Sequence, residues 1–239
     1  MLNAAFSGRA NRNQHSFVVN ELGEEIVGGV YASGTLLPGD VELAERFGVS
    51  RTVLREAMKT LTAKGMIVPK ARIGTRVTDR SQWNLFDADV LVWHIETGVD
   101  ITFLKHLTDM RFAIEPFAAQ LAAVRASADE IKALYACADA MAGADSDESF
   151  ALADLKFHLA LHGASGNPFM LSVGNLIEAA LVSSFKMSSP YGEPGRHVAT
   201  ANRHRMIVEA IERKDADAAA AAMKLVIQEG FDRILKKLA

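Results

Sequence analysis

At 239 residues, 49% of them hydrophobic and 23% charged, the chain has the composition of a soluble globular protein, with material for one large domain or two modest ones. No apolar run approaches the ~18 residues of a membrane-spanning helix, no basic start, apolar middle and cleavage site mark a signal peptide, and a lone Cys137 rules out an intramolecular disulfide; a cytoplasmic protein is expected. The net charge of −3 hides an asymmetry: residues 1–80 carry eleven Lys and Arg against eight Asp and Glu, a net of +3, while the rest carries fifteen against twenty-one, a net of −6, as expected of a nucleic-acid-binding head on an acidic body.

Residues 1–14 are polar and without periodicity, and read as a mobile tail. From Ser16 to Tyr31 the residues Val18, Val19, Leu22, Ile26, Val27 and Val30 recur at helical spacing and predict a first helix. Pro38 and Gly39 then break the chain and offer Asp40 as the N-cap of a short helix with Leu43, Ala44 and Phe47 on its apolar face. Gly48 ends that helix. Ser50 is placed to cap another, whose stripe is Val53, Leu54, Ala57, Met58 and Leu61 and whose opposite face carries Arg51, Arg55, Lys59 and Thr62.

Two short helices joined by a Gly-containing turn, the second basic at i, i+4 and i+8, have the geometry of a helix-turn-helix that lays its second helix in the major groove. Arg51 and Arg55 lie in its first turns, where a guanidinium reaches the O6 and N7 of guanine in a two-point contact. Ile67-Val68 and Thr75-Arg76-Val77 predict two short strands around an Arg72-Ile73-Gly74 turn, a wing with Arg72 and Arg76 set for phosphate contacts. The bland alternative is a solvated basic helix.

The run LAERFGVSRTVLREAM, with Leu61, Lys64-Gly65 and Gly74-Thr75 after it, resembles the DNA-binding domain of the GntR superfamily of bacterial regulators. The resemblance implies a winged helix-turn-helix over 15–79, with Arg51, Thr52, Arg55, Lys59, Arg72 and Gly74 facing DNA. Val41 stands where many members carry an Arg.

Residues 80–86 read as a linker, and from 87 to 239 the pattern is helical throughout. Helices are expected at Asp87 to Glu96, Ile101 to Arg125, Ser127 to Met141 behind a capping box, Asp147 to Ser165, Pro168 to Met187, His197 to Arg213 and Asp215 to Leu238. The fold class is therefore mainly α: a winged helix-turn-helix with a small β wing, then an all-α antiparallel bundle.

Polar residues interrupt the apolar stripes of this bundle. Asp154 and His158 sit four apart on the face of Phe150, Phe157 and Leu161; Thr200 and His204 share a face with Ile207, Val208 and Ile211; Arg111 interrupts Leu104, Leu107, Ile114, Ala118 and Leu121. Buried polar groups are costly unless paired or ligated, so several of them facing one interior point to a ligand site. Asp154, His158 and His204 are reasonable ligands for a divalent metal, zinc first, with nickel or manganese also suited. The alternative is a buried Asp–His hydrogen bond without metal. Arg111 suits an anionic carboxylate effector or an ion pair with Glu115. Thr200 suits an effector hydroxyl or a bond to its own helix. His162 continues the ladder as a surface or core residue, and His94, His106 and His197 have no constellation around them.

The motif D-x-x-x-H at Asp154 and His158, Ser165-Gly-Asn-Pro168, and H-x-x-I-x-x-A-I at His204 to Ile211 resemble the FCD effector domain of the FadR subfamily. In metal-binding members a further His follows the third ligand by about twenty-two residues, where this chain has Val226. Trp83-Asn84-Leu85 and DADVLVW at Asp87 to Trp93 are similar to repressors of sugar-acid catabolism, the galactonate type among them. The resemblance implies a homodimer on a palindromic operator, released by a small carboxylate such as an aldonate or uronate. Two other readings are a metal-dependent hydrolase or isomerase built on Asp154, His158 and His204, and a sensor whose head no longer binds DNA.

Overall fold

The computed structural model describes residues 14–98, 101–176, 187–190 and 195–238. The tail expected at 1–14 lies outside the described residues except for Gln14, and so does 177–186 of the helix expected over 168–187. The chain forms two compact units, Met1–Asp100 and Ile101–Ala239.

In the first unit, α1 (Gln14–Val27) buries Val18, Val19, Leu22, Ile26 and Val27. These pack with Leu43 and Ala44 of α2 (Asp40–Phe47) and Leu54, Ala57 and Leu61 of α3 (Arg51–Ala63) in one core. Gly39, not Asp40, is the N-cap of α2; it makes no side-chain cap, and Asp40 opens the helix, where its charge meets the positive end of the helix dipole. Gly48 closes α2 with φ of 63°, which a residue bearing a Cβ adopts only under strain. Ser50 caps α3, its Oγ accepting from the Val53 N–H at 3.2 Å. The wing is an antiparallel pair, β1 (Ile67–Lys70) and β2 (Gly74–Val77), in the register Ile67 to Val77 and Lys70 to Gly74.

The boundary between the units differs from the sequence expectation. Residues 80–86 are not a free linker: Arg80–Gln82 make a 3-10 turn capped by Asp79, and Trp83 is buried with its indole N–H donating to Thr78 Oγ1 at 3.1 Å. The next helix, α4 (Ala88–Glu96), belongs to the first unit and packs on α1. Its Trp93 donates to Asn20 Oδ1 at 3.1 Å and lies flat on Gly23, where a Cβ would come within 2.6 Å of three ring atoms. Lys64, at the end of α3, ties the start of α4 through Asp87 at 2.6 Å and Asp89 at 2.9 Å. The apolar face of α4 is plain in the sequence; which of two cores it fills is a tertiary choice, decided by a glycine that leaves room for an indole.

The second unit comprises α5 (Ile101–Arg125), α6 (Ala128–Ala142), α7 (Asp147–Ala164), α8 (Pro168–Leu176), α9 (Arg196–Glu212) and α10 (Ala216–Leu238). Ser127 and Glu130 form the expected capping box at the head of α6. Alanines 118, 119, 122 and 123 on α5 and 219 and 220 on α10 are buried, and α5 and α10 run closely together. Phe150, Phe157, Leu161, Ile207, Ile211 and Met223 fill the space between α6, α7, α9 and α10. Complete burial of each such large side chain favours the fold by about 1.5–3 kcal/mol. No helix among the described residues is long and apolar enough to cross a membrane.

Candidate functional site

Two surfaces carry chemistry, one in each unit. In the first, the buried face of α3 leaves Arg51, Thr52, Arg55 and Lys59 in solvent. Arg55 lies 3.9 Å from Asp40 and Lys59 2.8 Å from Glu56, with the basic side chains 71% and 73% exposed. Pairs this open to water contribute little and give way readily to a polyanion. Arg72 occupies the wing turn with φ of 63° and Gly74 follows at 123°; both are exposed. Val41 is 49% exposed at the start of α2, an apolar side chain standing in solvent.

In the second unit, α7 and α9 bring Asp154, His158 and His204 together, with one ligand atom of each lying within 4.8 Å of the others. Asp154 Oδ1 is 3.0 Å from His204 Nε2 and 3.3 Å from His158 Nε2. All three are buried, at 4%, 0% and 1% exposure. The far side of each ring is held. His204 Nδ1 is 2.9 Å from the Thr200 carbonyl, and His158 Nδ1 is 2.7 Å from Oε2 of Glu115. An acceptor facing Nδ1 places the proton of a neutral imidazole there and leaves the Nε2 lone pair directed inward. Two lone pairs and a carboxylate oxygen thus converge, and Asp154 Oδ1 and His204 Nε2 make no hydrogen bond among the described residues. Such a set repels itself unless protons or a cation fill it, and the carboxylate and carbonyl behind the rings are what metal-ligating histidines ordinarily have. The residues fit a divalent metal.

Electrostatics follow the same geometry. Burial pushes the Asp154 carboxyl up, but His204 and His158 outweigh it and hold it well below the usual range. Burial likewise opposes ionisation of Glu115, and Arg111 and His158 overcome it. His158 is pulled down by burial yet ends raised, because Glu115 and Asp154 face it.

Of the two roles expected for Arg111, an effector carboxylate or an ion pair with Glu115, the structure holds the ion pair: Arg111 is 5% exposed and bridges Glu115, Nε to Oε1 at 2.6 Å and Nη2 to Oε2 at 3.3 Å. Its charge supports the carboxylate behind His158. Thr200 serves His204 through its carbonyl, and it also lines a cleft of about 310 Å³ with Arg196, Arg203, Arg233 and Lys236. The i, i+4 spacing of Arg111 and Glu115 is the one signal in the sequence for the place of Glu115 behind His158. Val226 is buried among Met223 and Ile227 and leaves that position apolar.

Comparison with known proteins joins the two surfaces. Residues 14–77 match the gntR family of bacterial regulatory proteins, and residues 106–229 match the FCD domain. The chain belongs to the GntR family. It is 35% identical to the uncharacterised HTH-type transcriptional regulator YieP of Escherichia coli K12, over 92% of this chain and 94% of that one. It is 31% identical to the galactonate operon transcriptional repressor of the same organism, over 93% and 97%. A solved structure of Lar, which controls the agr system of Listeria monocytogenes, shares the fold with a TM-score of 0.64 at 22% identity, over 95% of this chain and 99% of that one. This GntR protein, of the FadR type, is thus a ligand-responsive transcriptional regulator: its head binds operator DNA and its FCD domain binds a small-molecule effector. The family and its relatives are regulators, which removes the hydrolase or isomerase reading.

Proposed function

We propose that this GntR regulator represses a sugar-acid catabolic operon and is released from it by a small hydroxylated carboxylate, an aldonate or uronate. A cytoplasmic homodimer places α3 of each protomer in successive major grooves of a palindromic operator. Arg51, Thr52, Arg55 and Lys59 make the groove and phosphate contacts, and Arg72 and Gly74 make the wing contacts. Support for the effector class comes from the galactonate operon repressor, similar along nearly its whole length.

The observation that carries the effector site is the convergence of Asp154 Oδ1, His158 Nε2 and His204 Nε2. These three residues would hold a divalent metal, zinc first, with nickel or manganese compatible. When bound, the metal supplies a Lewis-acid centre for the oxygens of a carboxylate. Glu115 and the Thr200 carbonyl fix the two rings, and Arg111 holds Glu115 ionised. For release, the effector must bind one arrangement of the two heads more tightly than the other.

The test is fluorescence-polarisation binding to the DNA upstream of the protein's own gene, titrated with galactonate, gluconate, glucuronate and lactate, with and without chelator. Release by a sugar acid that is lost on chelation supports the reading in full. Release by lactate alone retains the regulator and replaces the effector class, and specific binding that no acid changes removes the sugar-acid assignment.

A further inference from the structure

Among the described residues, one buried histidine of the second unit stands outside the metal cluster. His162 lies one turn beyond His158 on α7, is 0% exposed, and neither ring nitrogen has a hydrogen-bond partner among the described residues. A buried imidazole with both nitrogens unmatched is costly, and in native proteins such groups answer to something that binds there. Shape fixes the ring: a Cβ at Gly174 of α8 would stand 3.1 Å from His162 Cδ2 and 3.2 Å from Cγ, so the missing side chain makes the ring's seat. The carbonyl of His162 is satisfied by Ser165 Oγ at 2.6 Å, so the unmet demand belongs to the ring. His158 and His162 are four apart on α7 and both buried, so the ring lies on the cluster's face of that helix.

Resting on the effector reading above, we propose that His162 is a second anchor of the effector site, hydrogen-bonding a hydroxyl of a polyhydroxylated acid whose carboxylate end sits at Asp154, His158 and His204. Neutral imidazole is both donor and acceptor and matches a hydroxyl, which is the same. One turn of α7 separates it from His158, roughly 6 Å along the axis. Two anchors at that spacing favour an acid with hydroxyls well beyond its second carbon over lactate or acetate. A site built to bond a hydroxyl penalises the analogue that lacks it, because the protein group is then left unpaired.

Isothermal titration of the zinc-loaded full-length protein with D-galactonate, lactate and acetate, in wild type, His162→Leu and His162→Gln, tests this. Galactonate affinity is expected to fall about tenfold or more in His162→Leu, the loss of one good hydrogen bond, and to recover partly in His162→Gln; lactate and acetate should change by less than about twofold. Melting of the metal-free His162→Leu protein should be no lower than wild type, since leucine removes unmatched polar atoms. Unchanged galactonate affinity overturns the inference alone. A lowered melting temperature with equal losses for all three acids and reduced zinc content also overturns it, and makes His162 a support of the metal cluster. Wild-type protein that binds none of the acids removes both the sugar-acid reading and this inference.

Discussion

Glu115 faces His158 from α5, its Oε2 2.7 Å from Nδ1, while its other oxygen lies 2.6 Å from Arg111 Nε; both Glu115 and His158 are buried. The carboxylate thus orients a ring and neutralises a guanidinium at once. Glu115→Gln keeps the shape and loses the charge, and is expected to weaken metal binding about 10–100-fold, as removal of outer-shell partners does. Glu115→Ala in addition strands a buried Arg111 and should cost about 3–5 kcal/mol of stability. Competitive zinc titration and urea unfolding measure the two effects; unaltered zinc affinity in Glu115→Gln would remove its orienting role.

The cluster also sets a pH dependence with opposing limbs. Glu115 and Asp154 are held below their ordinary values of 4.5 and 3.8, so their contribution is present above that range and is lost as pH falls toward the folded values. His158 is raised above 6.5, so its contribution is full below 6.5 and is lost as pH rises through the raised value. Metal-free protein should therefore draw most stability from this cluster between 4.5 and 6.5 and decline on the alkaline side. Zinc takes the place of the ring proton and should reverse that decline. Melting curves from about pH 5 to 8, with chelator and with zinc, check it; parallel curves would mean that metal and ring proton do not compete.

Much of this was legible in the sequence, because helix caps and stripes are local. Ser50, Ser127 and Gly48 do what their types and positions imply. The i, i+4 pair Asp154 and His158 was visible for the same reason, and His204 joined them through a second motif. What escaped depends on contacts between distant segments. The stripe on α5 put Ile114 inside, yet Ile114 is half-buried and Glu115 is 1% exposed, because a carboxylate that faces Arg111 and His158 is invisible to an apolar pattern. The place of α4 was hidden likewise, since Gly23 and Trp93 are seventy residues apart.

Burial and the hydrogen bond to Glu212, at 2.8 Å, push Tyr135 up to about 12. The bond ties α6 to α9, and its contribution is present below 10 and lost as pH rises toward 12. Tyr135→Phe should lower stability slightly at neutral pH and flatten the fall across that alkaline window. Guanidinium unfolding of both proteins from about pH 8 to 11 reads the difference; equal slopes would show that the phenol adds nothing.

Gly23→Ala would drive a methyl into the Trp93 ring, 2.6 Å away, and force α1 and α4 apart. Overpacking of this kind costs about 1–3 kcal/mol. The cost should fall on the first unit, lowering its melting and operator affinity while zinc and effector binding in the second are retained. Differential scanning calorimetry with and without zinc separates the units; a loss of zinc affinity in this variant would mean that the damage spreads through the whole chain.

The DNA face makes the last distinction. Arg51 projects from the first turn of α3 and Arg72 from the wing, and both are exposed. A guanidinium in two-point contact with guanine adds discrimination, whereas one on phosphate adds affinity without regard to sequence. Arg51→Ala should therefore cost about 1–3 kcal/mol on the operator, much less on random DNA, and relax preference at one base pair of each half-site. Arg72→Ala should weaken operator and random DNA alike and reduce the slope of log affinity against log salt by about 1 per protomer. Polarisation titrations over a salt series on both DNAs read these quantities. Equal losses from Arg51→Ala on operator and random DNA would make it a backbone contact, and α3 would then owe its base selection to Thr52 and Arg55.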